Sequence, residues 1–284
     1  MVQWLNESIV HPLENIYISP LELCNLACLY CYTNKTKAIL TNDQILDFVK
    51  SYSAVIHKSY FLNLKSIIFC GGEVFTLKNF PQLINSVTSQ GIFCSVITNG
   101  TVDKLDEIIE PHNCQLIVSF DGPEKIHDQN RGLGNFQKSS DFVQKALKLG
   151  FPIEIFYLIT KDSYPYKDSF PKDFYSSFQN PVSSFSFTYL VDRLGSLTSD
   201  QIKDIRQNYP CYPAKNFGCN MFSLQSNSHF YGCCESARPI GKLTDNLDDV
   251  VKKYINILQN HPLCSDPTFA CGFQKELKLL TNAK

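Results

Sequence analysis

The chain has 284 residues, of which 44% are hydrophobic, and its formal net charge is −1. This length is enough for one large or two small domains with a real core. The near-neutral charge excludes a global basic field that would attract nucleic acid or an anionic membrane. No apolar run is long enough for a transmembrane helix, and the N-terminus lacks the regions of a signal peptide. We therefore expect a cytoplasmic protein with neither a nucleic-acid nor a membrane partner.

Short apolar runs alternate with helix-length amphipathic segments up to Leu190. The predicted strands are Ile16–Ser19, Ser66–Cys70, Phe93–Thr98, Gln115–Phe120, Ile153–Thr160 and Phe185–Leu190. The predicted helices are Asn42–Ile56, Asn79–Gln90, Val102–Ile109, Phe136–Leu149 and Asp168–Phe178. This alternation indicates βαβ units and a parallel sheet. Six units are too few for a closed eight-stranded barrel, so we predict an α/β fold, a partial (β/α)6 TIM barrel. An open doubly wound sheet is the alternative.

The pattern changes after Gly195, and we place a domain boundary there. Residues 1–195 would form the barrel, and residues 196–284 a small Cys-rich extension. The elements predicted in this extension are a helix over Leu197–Asn208, a hairpin around Met221–Phe230 and a helix over Leu247–Gln259. A segment so small and rich in loops would be stabilised by a metal site.

Twelve cysteines are many for a cytoplasmic chain, where cysteine more often serves metal binding or catalysis than disulfides. Cys24, Cys28 and Cys31 lie together directly after the first predicted strand, where a barrel enzyme places its site. Three thiolates can hold three corners of a four-iron cluster and leave the fourth iron open for a ligand. A zinc site is the alternative. Three isolated cysteines in apolar runs are predicted to be buried small hydrophobes: Cys70, Cys94 and Cys114.

Polar residues also follow the next three predicted strands. These segments are Cys70-Gly71-Gly72-Glu73, Thr98-Asn99-Gly100-Thr101 and Ser119-Phe120-Asp121-Gly122-Pro123. Each segment alone is typical of a turn between strand and helix, and Arg131 alone would be an ordinary surface arginine. In a barrel the C-terminal ends of the strands meet at one face, so we expect all of these residues near the three cysteines.

In this order, the segments resemble the radical S-adenosylmethionine (SAM) superfamily over residues 14–190. The run Ser-Phe-Asp-Gly-Pro, with His127 and Arg131 after it, resembles the subgroup that carries a C-terminal SPASM or twitch extension. The resemblance implies that Gly71, Gly72 and Glu73 bind the amino group of SAM, which chelates the open iron. One departure is Gly-Gly-Glu-Val, because the family usually has Pro after the Glu. The other implied contacts are Thr98, Asn99, Ser119 and Asp121 on the ribose side, Arg131 on the carboxylate and Tyr30 by the adenine.

The cysteines of the extension are similar in spacing to the first half of a SPASM domain, but the dense cysteine block of the full domain is missing. We therefore expect a shortened, twitch-like version with one auxiliary [4Fe–4S] cluster. Its implied ligands are Cys219, Cys233, Cys264 and Cys271. Structural zinc on the same four residues is the alternative, and Cys211 is an alternative ligand to Cys264 or Cys271.

The resemblance implies reductive cleavage of SAM to a 5′-deoxyadenosyl radical that abstracts hydrogen from a substrate. The electron would come from an external donor such as flavodoxin or ferredoxin. Relatives with this extension often epimerise or cross-link ribosomally made peptides through thioether or C–C bonds, so we expect a peptide substrate. Cys234 is either a hydrogen donor to a substrate radical, as in peptide epimerases, or a packing residue.

Two other functions stay open, a small-molecule dehydrogenase and a non-catalytic iron–sulfur or zinc scaffold. Fewer than twenty residues precede the first predicted strand. If the substrate carries a leader peptide, we therefore expect a separate partner or direct docking to bind it.

Overall fold

The computed structural model describes residues 12–31, 33, 35–178, 185–191, 196–209, 221–232 and 238–260. Its first six strands are β1 (Asn15–Leu21), β2 (Ser66–Gly71), β3 (Phe93–Thr98), β4 (Cys114–Phe120), β5 (Ile153–Ile159) and β6 (Phe185–Val191). They are parallel, and each pairs with the next in chain order. A doubly wound sheet would reverse this order at a switch point. The predicted partial (β/α)6 barrel is confirmed, and the doubly wound alternative is wrong.

Helices connect these strands, and most begin and end near their predicted limits. They are α1 (Asn42–Tyr60), α2 (Phe80–Thr88), α3 (Glu124–Arg131), α4 (Asn135–Leu149) and α5 (Ser169–Ser176). The helix predicted over Val102–Ile109 is wrong, because only a 3₁₀ turn forms at Leu105–Glu107. The Asp103 carboxylate accepts a hydrogen bond from the Leu105 N–H at 3.0 Å, a local turn that competes with helix.

The two faces of the sheet bury different side chains. The face toward the helices carries the main core, where the rings of Phe69, Phe75 and Phe80 pack edge to face. The opposite face carries a smaller apolar cluster of Tyr17, Ile68, Cys70 and Met221. The predicted burial of the three isolated cysteines is confirmed, with exposed fractions of 8% for Cys70 and 0% for Cys94 and Cys114.

The segment after β6 returns to the barrel. Strand β7 (Phe222–Gln225) pairs in parallel with β1 and forms the predicted hairpin with β8 (His229–Tyr231), and β9 (Gly241–Lys242) then pairs with β8. Two helices complete this region, α6 (Ser199–Asn208) and α7 (Leu247–Asn260). The Tyr254 ring of α7 packs on Phe222 at 5.3 Å. The described residues include no helix long and apolar enough to cross a membrane.

Candidate active site

The cysteine loop, residues 22–31, is held against the Gly-Gly turn after β2. The Gly72 N–H donates to the Leu21 carbonyl at 2.9 Å, and the Glu73 N–H donates to the Leu23 carbonyl at 3.0 Å. A Cβ atom on Gly72 would lie 1.9 Å from the Leu23 oxygen, and one on Gly71 would lie 2.1 Å from the Leu21 oxygen. Real Cβ atoms do not approach so closely, so both glycines are needed for the loop to dock here.

Glu73 organises the floor of this site. Its side chain is fully buried and accepts hydrogen bonds from the Thr98 hydroxyl at 2.8 Å, the Asn99 N–H at 2.7 Å and the Phe75 N–H at 3.2 Å. Burial raises the pKa of Glu73, while these three hydrogen bonds work in the opposite direction. A carboxylate offers about four acceptor positions, so about one remains for an outside donor. The contact of Glu73 with SAM stays a prediction.

Asn99 ties the end of β3 to the cysteine loop. Its side-chain N–H donates to the Asn25 side chain at 3.0 Å and lies 3.7 Å from the Cys24 sulfur. The Asn25 amide in turn donates to the Thr101 hydroxyl at 2.8 Å. Sequence reasoning missed Asn25, although its polar side chain directly after the first cysteine was a usable signal. The Thr-Asn-Gly segment is thus brought to the loop as predicted, with its amide groups already engaged.

Asp121, at the end of β4, joins Arg131 to Tyr30. The buried carboxylate accepts from the Arg131 guanidinium through Nε and Nη2, both at 2.9 Å, and from the Tyr30 hydroxyl at 2.5 Å. The guanidinium lies 5.6 Å from the centre of the Tyr30 ring. Burial works against the charge of Arg131, but Asp121, Tyr30 and Cys28 outweigh it and raise the pKa of the guanidinium. Arg131 is therefore a fixed cation beside the cysteine loop.

Ser119 differs from the other predicted contacts. Its side chain is partly exposed, and no described residue forms a hydrogen bond with its hydroxyl. It lies in β4 two residues before Asp121, at the C-terminal end of the strand. Of the polar side chains predicted on the ribose side, Ser119 is the one whose hydrogen bonds are all available to a ligand. Its contact with SAM, like those of Thr98 and Asn99, stays a prediction.

The three cysteines of the loop carry free thiols that differ in their exposure. All three are reduced; Cys24 and Cys28 are partly buried, and Cys31 is exposed. Within the described part of the chain, no three His, Cys, Asp or Glu side chains are placed to hold one metal ion. A zinc ion needs all its thiolates within about 2.3 Å of one point, whereas a four-iron cluster binds each thiolate to a different iron. The cluster on Cys24, Cys28 and Cys31 stays a prediction, with zinc as its alternative.

The partly buried loop disfavours ionised thiols at two of its cysteines. Burial raises the pKa of Cys24 and of Cys28. The positive charge of Arg131 works in the opposite direction on Cys28. A metal cluster that binds the deprotonated sulfurs would offset the cost of ionising them in this partly buried loop.

The auxiliary-cluster residues lie outside the described residues, so their predicted roles stay predictions. They are Cys219, Cys233, Cys264 and Cys271, with Cys211 and Cys234 beside them. The boundary between residues 195 and 196 also stays a prediction. The structure adds that β7, on the C-terminal side of this boundary, belongs to the same sheet as the barrel.

His127 lies in α3 one turn before Arg131 and is fully buried between the rings of Phe120 and Phe136. Neither of its ring nitrogens has a hydrogen-bond partner among the described residues. Burial, with a smaller contribution from the charge of Arg131, lowers the pKa of His127 to about 3. The imidazole is therefore neutral at any pH near 7.

We expect this histidine to make the fold sensitive to acid. Below pH 6.5 the unfolded chain binds a proton at His127, and the folded chain does so only near pH 3. The free energy of unfolding therefore falls by about 1.4 kcal/mol per pH unit across this window because of His127 alone. Urea unfolding of His127→Leu and the unchanged chain at several pH values measures the difference. Parallel pH profiles for the two would contradict the assignment.

Comparison with known proteins places this site in a family. The sequence matches the model of the Radical SAM superfamily over residues 18–163, more than half of the chain. The radical SAM cyclopropyl synthase TigE of Paramaledivibacter caminithermalis is 26% identical over 197 residues, covering 61% of this chain and 39% of TigE. A GTP 3′,8-cyclase of Clostridium botulinum is 26% identical over 151 residues, covering 51% of this chain and 47% of the cyclase. The chain thus spans less than half the length of either relative.

Two solved structures share the fold. Streptococcus suis SuiB bound to the precursor peptide SuiA superposes with a TM-score of 0.63 at 14% identity, covering 84% of this chain and 64% of SuiB. Native anSMEcpe with bound AdoMet and the Cp18Cys peptide superposes with a TM-score of 0.67 at 19% identity, covering 85% of this chain and 79% of anSMEcpe. The shared fold agrees with the extent of the family match and with the cysteine loop at the strand ends. The chain belongs to the radical SAM superfamily.

Proposed function

We propose that this chain reductively cleaves SAM at a [4Fe–4S] cluster held by Cys24, Cys28 and Cys31. Membership of the superfamily implies SAM and one such cluster as cofactors. When bound, they supply the electron transfer and the 5′-deoxyadenosyl radical. The observation that carries the proposal is the docking of the cysteine loop onto the ends of β2, β3 and β4, which surrounds three reduced thiols with polar groups.

Four side chains and one turn would each bind a different group of SAM. The remaining acceptor position of Glu73 and the carbonyl groups of the Gly71-Gly72 turn suit the amino group. The free N–H groups of Arg131 suit the carboxylate, since a guanidinium has five donors and Asp121 engages two. The Ser119 hydroxyl suits a ribose hydroxyl, and the Tyr30 ring lies by the adenine.

We further propose a ribosomally made peptide as the substrate, modified by epimerisation or by a thioether or C–C cross-link. The support is the shared fold of two proteins whose structures hold peptides, SuiB with SuiA and anSMEcpe with Cp18Cys. TigE, a cyclopropyl synthase, adds a relative at 26% identity. The electron would come from an external donor such as flavodoxin or ferredoxin.

An auxiliary [4Fe–4S] cluster on Cys219, Cys233, Cys264 and Cys271 completes the proposal. Iron and sulfide analysis after anaerobic reconstitution tests both clusters. Two clusters give about eight irons per chain, and Ala at Cys24, Cys28 and Cys31 together leaves about four. A chain that binds metal but forms no 5′-deoxyadenosine from SAM and dithionite would instead be a scaffold.

Cys234 provides a test of the reaction type. If the chain is an epimerase, the reaction in D₂O with a substrate peptide introduces one deuterium at a Cα position. We expect Cys234→Ala to lose this label while 5′-deoxyadenosine still forms, because the thiol hydrogen that quenches the substrate radical is gone. Mass spectrometry of the peptide measures the label. A product two mass units lighter without exchange would point to cross-linking or dehydrogenation, and a label retained in Cys234→Ala would remove its donor role.

A further inference from the structure

The Asp121 carboxylate occupies an unusual place, because it is shared between two parts of the site. We propose that Asp121 is a positioning residue that orients the Arg131 guanidinium and, through Tyr30, holds the cysteine loop against the end of β4. The proposal rests on the proposed function for the identity of the bound group. The contacts of Asp121 with Arg131 and Tyr30 on which it depends are all between residues of the protein.

The first step in the argument is the assignment of the oxygens of Asp121. Oδ1 accepts from Arg131 Nε and Nη2, and Oδ2 accepts from the Tyr30 hydroxyl. The Asp121 side chain is 0% exposed and that of Arg131 is 9% exposed. Like Glu73, Asp121 thus has three of its roughly four acceptor positions engaged within the protein. The hydrogen bonds that Asp121 makes serve Arg131 and Tyr30, which gives it an indirect role in ligand binding beside its predicted place on the ribose side.

The second step concerns the direction of Arg131. Because Asp121 engages Nε and Nη2, the plane of the guanidinium is fixed, and its other N–H groups point away from Asp121. A carboxylate ligand is recognised best by a guanidinium that is already oriented, since less rotamer freedom is lost on binding. Arg131 can therefore hold Asp121 and an outside carboxylate at the same time.

The third step links this pair to the cysteines. Tyr30 lies between Cys28 and Cys31 in sequence, so a hydrogen bond from its hydroxyl fixes the last turn of the cysteine loop. The Leu29 N–H donates to the Asn130 carbonyl at 3.1 Å, directly before Arg131. The loop is thus attached to the β4–α3 segment at two consecutive residues. Loss of the Tyr30–Asp121 bond leaves the backbone contact and the weaker contact of the Tyr30 ring with the Arg131 guanidinium.

Two variants distinguish the contact of Asp121 with Arg131 from its contact with Tyr30. Tyr30→Phe keeps the ring and removes only the hydroxyl, and Asp121→Asn removes the charge that engages both partners. In the reconstituted full chain, we expect an iron chelator to release iron about tenfold faster from either variant, because a hydrogen bond to a charged group is lost. SAM affinity, measured by equilibrium dialysis, should fall about tenfold in Asp121→Asn. The fall should be clearly smaller in Tyr30→Phe, which keeps the contact of Asp121 with Arg131. The double variant should release iron no faster than Asp121→Asn alone.

Tyr164→Phe is the matched control, because it removes a tyrosine hydroxyl that donates to the Asp204 carboxylate at 2.7 Å, away from the cysteine loop. It should release iron as the unchanged chain does. Alkylation of the chain as purified gives a second measurement that needs no iron, with peptide mapping by mass spectrometry. Cys24 and Cys28 should react faster in both variants, Cys31 should change little since it is already exposed, and the buried Cys94 should stay protected if the fold is intact.

Unchanged iron release and alkylation in Tyr30→Phe would overturn the positioning role, as would an equal acceleration in Tyr164→Phe. Failure of the proposed function gives a different result, since the unchanged chain would then bind no iron or form no 5′-deoxyadenosine. Even in that case, the alkylation rates of Cys24 and Cys28 still decide whether Asp121 holds the loop.

Discussion

Replacing any one of Cys24, Cys28 and Cys31 with Ala removes SAM cleavage, so that 5′-deoxyadenosine falls to the level of a reaction without enzyme. In the proposed cluster each thiolate would bind a different iron, and the loop offers no substitute, since no other cysteine among the described residues lies in it. The loss should be at least about 1,000-fold, because the reaction depends wholly on the cofactor. Chromatography of an anaerobic reaction with SAM and dithionite measures it.

Cys94→Ala is the control for this experiment. Cys94 is fully buried on β3 and faces the helices rather than the site. We expect this variant to bind the same iron as the unchanged chain and to cleave SAM at a similar rate, with a modest loss of stability from the smaller side chain. Turnover retained in any single variant of the three loop cysteines would contradict the proposed cluster site.

Gly72→Ala should damage the site almost as severely, although Gly72 supplies no side chain. The new Cβ atom would lie 1.9 Å from the Leu23 carbonyl oxygen, so the cysteine loop must move by roughly 1.5 Å to restore an ordinary contact. A displacement of that size costs about 100-fold in rate where reacting groups must be aligned. We therefore expect SAM cleavage to fall by about this factor, together with a lower iron content per chain.

Gly91→Ala distinguishes this steric effect from the general cost of replacing a glycine. A Cβ atom on Gly91 meets nothing within 4 Å, and its φ of +75° makes the substitution mildly strained. We expect a loss of stability of about 1–2 kcal/mol and normal iron content. If Gly72→Ala bound iron and cleaved SAM as Gly91→Ala does, the docking of the loop on the Gly-Gly turn would not be required for function.

The sequence predicted best what local patterns determine. The apolar runs of the six barrel strands and the cysteine spacing are short-range signals, and the start of α1 is fixed by a local capping box of Thr41 and Gln44. Helix α3 was missed because Glu124–Arg131 is strongly polar and contains only one aliphatic residue, Ile126. An eight-residue segment with one aliphatic side chain offers no apolar stripe of the kind that marks a core-facing helix in a sequence.

Contacts between segments far apart in the chain could not be predicted from a single sequence. The Tyr30–Asp121 hydrogen bond joins residues 91 positions apart, and nothing local to either residue indicates the partner. The resemblance assigned Asp121, Thr98 and Asn99 to a ligand, whereas the structure engages each in hydrogen bonds within the protein. Local patterns identify which residues gather at a site, but how they share donors and acceptors depends on the packed geometry.

The pairing of β1 with β7 has a consequence for the order of events during synthesis. Ile16 pairs with Phe222, so one edge of the strand that leads into the cysteine loop has no partner until most of the chain has left the ribosome. At translation rates of about 5–20 residues per second, this interval lasts on the order of tens of seconds. Closing so long a loop also slows folding. We therefore expect the cell to load the N-terminal cluster after translation of β7, when β1 has both neighbours.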